Sequence, residues 1–338
     1  MLDRPKSLKP KPKTQSAIID DPDFLLVTPE PDEWSRQFCH SPVLPRETLL
    51  ALQVKPDGRY VDLTLGSGGH SRLILSRLGP KGRLLAIDKD PEALAFAALW
   101  GKNDPRLILK RASFDKIDEI FKELKWKPAD GLLADLGLSS RQLLGSGRGF
   151  SWQKNEPLDM RMDPDSELTA FEVVNSWPAE KLLELIRDKA EERSPYRITK
   201  TIVAAREKKP IETTGDLSEL LKRVIRRSSG HQALNPATKV FMGIRLAVNL
   251  EMEALTTLLK KAPACLKPGA NLVVISFQSH EDRQVKRAFT SVEGKKIWDN
   301  LFKKPITALR SEIEINRRAR SAKMRVGRRK ISSEKANK

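Results

Sequence analysis

Cysteine is almost missing from this chain of 338 residues, which holds only Cys39 and Cys265. Two distant cysteines cannot build a disulfide framework or a thiolate zinc site, so both read as ordinary thiols. Histidine is also scarce: His40, His70, His231 and His280 are scattered without metal-ligand spacing, and no metal is expected. No stretch of about 18 apolar residues is present, which excludes a transmembrane helix on sequence grounds. The opening segment MLDRPKSLKPKPKTQ lacks the apolar centre of a secretory signal, so a cytoplasmic protein without membrane association is expected.

Acidic charge is also in short supply. There are 44 Asp and Glu against 62 Lys and Arg, a net charge of +18, and such a surface attracts polyanions, nucleic acid first. The densest run is RRARSAKMRVGRRK, Arg317 to Lys330, with eight basic residues and no acid. It reads as a tail that grips phosphates through Arg317, Arg318, Arg320, Lys323 and Arg325.

What the chain does contain is alternation. RYVDLTL (59–65), RLLAID (83–88), RLILK (106–110), DGLLADL (130–136) and NLVVISF (271–277) are short apolar runs separated by helical patterns. Strands covered on both faces read this way, and helices between them imply a doubly wound α/β domain with a mostly parallel sheet. The expected division is a Pro/Lys-rich mobile arm over 1–36, a core of 37–143 and 246–330, an inserted helical domain over 144–245, and a disordered tail over 331–338. Within the insert, Pro178 suits a helix start and Thr213 with Asp216 suits an N-cap. ATKVFMGIRLAVNLEMEALTTLLKKA, with Phe241, Ile244, Val248, Leu255 and Leu259 near one face, reads as a long helical segment returning to the sheet.

The first strand runs into LGSGGHS, where Gly66, Gly68 and Gly69 strip the backbone before a helix. Strand, glycine turn and helix together make an anion or nucleotide site. A dinucleotide fingerprint would need a third glycine where Ser71 stands, and no G-x-x-x-x-G-K-[ST] loop occurs. Asp88 ends the second strand about twenty residues on, where a carboxylate can accept both ribose hydroxyls. Asp90, before Pro91, reads instead as a helix cap. Phe114 follows the third strand and can stack on adenine, or can be core. Asp135 ends the fourth. Since ligands in such sheets bind beyond the carboxyl ends of the strands, Gly68, Asp88, Phe114 and Asp135 are expected to share one crevice.

HSPVLPRETL, DLTLGSGGHS, AIDKDPEAL, ADLGLSSRQL, RGFSW, PLDMRMD, NPATKVFMGIRLAVN, VVISFQSHEDRQVKR and RARSAKMRV occur in this order, and over about 39–328 the chain resembles the RsmH (MraW) family. Those enzymes use S-adenosylmethionine to methylate N4 of a cytidine in 16S ribosomal RNA. The resemblance implies a Rossmann-like class I methyltransferase core with a helical insertion, and cofactor contacts at Gly68, Gly69, His70, Asp88, Phe114, Asp135 and Gln142. It also implies 16S rRNA, within the small subunit or a late precursor, as partner; a homodimer stays open. SFQSHEDR stands where the family usually has SFHSLEDR, a departure at Gln278 and His280. A catalytically silent RNA-binding or assembly factor is therefore the competing reading.

Cytosine N4 is a poor nucleophile because its lone pair is delocalised, so alignment should dominate, helped by an acceptor on the amino protons. Asp135 is the nearest carboxylate by the sheet argument, either for that task or to hold the methionine end of the cofactor. His40 is a second acceptor candidate, though packing suits it better. The loop from Ser276 through Gln278 and Ser279 to Arg283 is expected to meet the target base, with Arg283 and Lys286 on phosphates.

Overall fold

The computed structural model describes residues 42–225 and 237–331. The expected arm, Cys39, His40, His231 and all but the first residue of the expected C-terminal tail lie outside the described residues. Those that are described fall into two compact units. One comprises residues up to 87, 97–137 and 258 onward, and the other comprises 88–96 and 138–257.

The first unit is built on seven strands: β1 (Arg59–Asp62), β2 (Arg83–Asp88), β3 (Leu107–Arg111), β4 (Ala129–Asp135), β5 (Leu266–Ser276), β6 (Trp298–Asn300) and β7 (Lys323–Arg329). Their order is β3-β2-β1-β4-β5-β7-β6. β1 pairs in parallel with β2 and β4, and β4 with β5. β7 runs antiparallel to both β5 and β6. This is a Rossmann-like sheet, and its order reverses between β1 and β4, where crossovers leave in opposite directions and open a crevice at the carboxyl ends. The apolar runs produce it because both faces are covered: Val61, Leu85, Leu132, Leu133, Val273 and Ile275 are each at most 1% exposed.

Two sequence expectations change here. β5 starts at Leu266 rather than 271, and the residues LKPGA are absorbed by a register shift opposite Ala129–Gly131. An irregularity within a strand accommodates both Pro268 and Gly269. The basic run 317–330 is not a tail. It forms a 3-10 turn (Arg317–Ser321) followed by β7, whose Met324 and Val326 are fully buried between β5 and β6.

The second unit is helical around a core that includes Phe150, Ile186, Ile202, Leu217, Phe241 and Ile244. Thr213 caps Thr214–Val224 with a reciprocal Asp216 contact, an arrangement that stabilises a helix by about 1 kcal/mol. Pro178 sits at the cap of Ala179–Glu184, one residue before the first turn. The segment read as one long helix is two, Ala237–Val248 and Glu251–Cys265, separated at Leu250 with φ 50°.

Candidate active site

β1 stops at Asp62, but Leu63 N–H still donates to Leu133 O and Leu65 N–H to Ile87 O, so the following turn is held by both neighbouring strands. Gly66 (φ 51°) and Gly68 (φ 81°) then take left-handed conformations that favour glycine. A Cβ on Gly68 would lie 2.4 Å from the Trp100 ring. Asp62, 1% exposed, accepts from Ser71 Oγ at 2.7 Å and from Thr64 N–H at 3.1 Å. Ser71, the residue that breaks a dinucleotide fingerprint, thus fastens the helix Gly69–Leu75 to the end of β1.

Asp135 closes β4. Its backbone N–H donates to Thr64 Oγ1 at 2.7 Å, and its side chain, 25% exposed, places Oδ2 3.7 Å from Nε2 of buried His70. Burial, then the charges of Asp62 and Glu281, pushes the Asp135 carboxyl up to about 8. Burial alone brings His70 down to about 4. The 3.7 Å separation exceeds a hydrogen bond, and opposite shifts of this kind are those of a neutral pair, not an ion pair. Neither His70 ring nitrogen nor Asp135 Oδ1 has a hydrogen-bond partner among the described residues.

At the end of β5, Glu281 is buried and accepts from the N–H groups of Phe277 and Gln278 at 3.0 and 3.1 Å. It caps the helix Ser279–Thr290 while bringing a third carboxylate toward Asp135. In that helix Ser279, Arg283 and Lys286 are exposed, and Gln278 just before it is buried. Ser276 is 1% exposed and donates to Lys323 O at 3.3 Å, a strand-to-strand contact that leaves no hydroxyl free to meet a base. Arg325 needs correction as an RNA contact: it is buried and bidentate to Asp282 at 2.6 and 3.0 Å, so its guanidinium clamps β7 to the helix. Arg317 and Arg320 are exposed, while Arg318 and Lys323 are partly buried.

Asp88 ends β2 and accepts from Asp90 N–H at 2.9 Å. Phe114 opens a 3-10 turn after β3 and is partly exposed. Asp90 caps the next helix by accepting from Glu92 N–H at 3.0 Å, as its sequence position suggests. It also accepts from Arg148 at 2.7 Å and from Gln142 Nε2 at 2.8 Å. Gln142 Oε1 in turn accepts from Ser139 N–H at 2.9 Å, so this side chain is committed at both ends to protein groups. Asp62, Glu281 and Arg148 escaped the sequence reading. The carboxylate before the glycine turn was the one available signal for Asp62; Glu281 and Arg148 gave none.

Among the described residues no group of three His, Cys, Asp or Glu is placed to hold a metal ion, and no helix is long and apolar enough to cross a membrane.

The family model for the MraW methylase family matches residues 37–330. Ribosomal RNA small subunit methyltransferase H of Caldicellulosiruptor saccharolyticus is 43% identical over 302 residues, spanning 85% of this chain and 98% of that protein. Its namesake from Symbiobacterium thermophilum is 41% identical over 307 residues, spanning 85% and 96%. A glycine turn between two strand-end carboxylates, on a sheet of this order, and a match across nearly all the described residues lead to one conclusion: the chain belongs to the MraW methylase family.

Proposed function

We propose that this protein transfers a methyl group from S-adenosylmethionine to N4 of a cytidine in 16S ribosomal RNA, within the small subunit or a late precursor, in the cytoplasm. The observation that carries the reading is the pairing of the glycine turn at Gly66, Gly68 and Gly69 with Asp135 Oδ1 and the His70 ring nitrogens, which have no hydrogen-bond partners among the described residues. Buried polar groups are normally satisfied, so unused polar atoms beside a turn whose Gly68 leaves no room for a Cβ fit a ligand bearing donors and positive charge. The cofactor has both, and when bound it supplies an electrophilic methyl group.

The residues divide the remaining work. Gly68 and Gly69 let the backbone approach the ligand, Asp88 takes the ribose hydroxyls, and Phe114 covers the adenine. Gln142 acts through its hydrogen bond to Asp90. Asp135 either holds the ammonium end of the cofactor or accepts from the cytosine amine. In the second role its ionised form localises the nitrogen lone pair and its high proton affinity lets it take the surplus proton near neutral pH. His70, kept neutral by burial, can donate or accept beside it without adding charge. Fixing the amine in line is worth roughly 7–11 kcal/mol of barrier when alignment is complete. The base must be unstacked to reach a crevice in the sheet, which favours a single-stranded or pliable RNA site.

The test is incubation with labelled S-adenosylmethionine and undermodified small subunits, followed by nucleoside analysis. N4-methylcytidine is expected, and Asp135→Asn should reduce its formation by at least 100-fold, the lower range for lost acid–base function. Cofactor binding without product would overturn the reading in favour of a silent RNA-binding factor. Asp88→Ala should weaken cofactor binding, and unchanged affinity would remove the ribose contact.

A further inference from the structure

Most partly buried arginines among the described residues are matched to acceptors. Arg106 meets Asp104, Arg161 meets Asp159, Arg245 meets Glu251, and Arg206 donates to the carbonyls of Val174 and Trp177. Arg318 differs. It is half-buried, yet its guanidinium has no hydrogen bond or ion pair among the described residues, and no carboxylate acts on it. Removing a guanidinium from water without a partner is unfavourable, and a purely structural arginine would be expected to have found one.

Its place in the fold gives this meaning. Asp135 pairs with Ile275, Ile275 with Met324, and Ser276 with Lys323, so the start of β7 lies at the same edge of the sheet as the end of β4. Two strand spacings put Met324 about 10 Å from Asp135 across that edge. The 3-10 turn Arg317–Ser321 immediately precedes it and is fixed by Asn316 Oδ1, which accepts from Arg318 N–H at 3.2 Å, and by buried Ala319. Arg317 and Arg320 flank Arg318 on the exposed side.

We infer that Arg318 is a substrate-binding residue that receives a backbone phosphate of the RNA flanking the target cytidine, held ready by the turn that leads into β7. The inference rests on the RNA-methylating reading above. A guanidinium can grip a phosphate with two parallel N–H donors, and one already partly desolvated and ordered loses less on binding than an exposed lysine.

The experiment compares wild type, Arg318→Gln, Arg318→Lys and Lys330→Gln in methylation of undermodified small subunits and in binding a single-stranded RNA fragment across a salt series. Lys330 follows β7 at the opposite end and serves as the charge-matched control. Arg318→Gln should raise KM for RNA by about tenfold or more, as for loss of a charge-assisted contact, and flatten the log–log salt slope by about 0.7, with kcat and cofactor affinity retained. Arg318→Lys should keep the slope and recover part of KM, which a merely structural role would not give. Lys330→Gln should match wild type. If Arg318→Gln matches wild type, or if Lys330→Gln causes an equal loss, the inference falls. Should Arg318→Gln fail to fold, the Lys variant decides: a wild-type KM would overturn it. A wild type that binds cofactor but yields no methylcytidine would defeat the functional reading instead, a separate result.

Discussion

Asp135 and His70 depart from their ordinary titration ranges in opposite directions, and the signs make them separable by pH. Asp135, raised from 3.8 to about 8, is more readily protonated in the fold than in the unfolded chain. Its contribution is fully present below pH 3.8 and is lost as pH rises through 8. His70, lowered from 6.5 to about 4, behaves conversely: its contribution is present above pH 6.5 and is lost as pH falls through 4. Between about 4 and 6.5 the two oppose each other; from 6.5 to 8 only Asp135 is still changing. Cofactor-free wild type should therefore lose Tm relative to Asp135→Asn as pH rises from 6.5 to 8.5, and parallel melting curves would contradict the buried-carboxyl assignment. Gly68 allows a second residue test. Gly68→Ala combines φ 81° with a Cβ 2.4 Å from Trp100, and should cost about 1–3 kcal/mol in chemical denaturation while abolishing cofactor binding. Both residues were legible in the sequence, because strand ends and glycine turns carry local signatures. The partners that tune Asp135 were less so. Asp62 offered only its place before the glycine turn and Glu281 looked like any helix residue; their influence on Asp135 exists only once three chain segments meet.

At the level of the element, β7 shows where a sequence signal misleads. Apolar runs located β1, β2 and β4 to within a few residues because those strands are covered on both faces. KMRVGRR carries four basic residues in seven and reads as a polyanion-binding tail. Yet its apolar Met324 and Val326 are both buried, and the intervening Arg325 is neutralised by Asp282, a partner distant in sequence. Only pairing with β5 reveals this. The consequence is testable in two ways. Truncation after Asn316 should yield insoluble or unfolded protein, since it removes the strand between β5 and β6; a soluble product with wild-type circular dichroism would restore the tail reading. Arg325→Ala leaves Asp282 mostly buried without its cation and should cost about 3–5 kcal/mol, whereas Arg325→Met combined with Asp282→Leu should recover most of that loss. Recovery in the double variant would separate an uncompensated charge from lost packing.

Over the whole molecule, a charge of +18 explains attraction to RNA but not where the RNA lies. The fold separates basic residues held by internal carboxylates from others set beside the end of β5. Arg106, Arg148, Arg161, Arg245 and Arg325 are held by carboxylates, so they neutralise charge within the protein and contribute little to a polyanion. Arg283 and Lys286 belong to the helix that follows β5, and Arg317, Arg318 and Arg320 to the turn that precedes β7. Since Ser276 pairs with Lys323, both segments flank the same sheet edge. Five cations on that rim predict a log–log salt slope near −3.5 for single-stranded RNA, about 0.7 per phosphate contact. Binding of S-adenosylmethionine, which carries no phosphate, should change little over the same series. Replacing all five with Gln should bring the RNA slope close to zero while leaving cofactor affinity intact. A slope that stays near −3.5 in that variant would mean the RNA is held elsewhere on the basic surface, and that net charge rather than this rim governs the encounter.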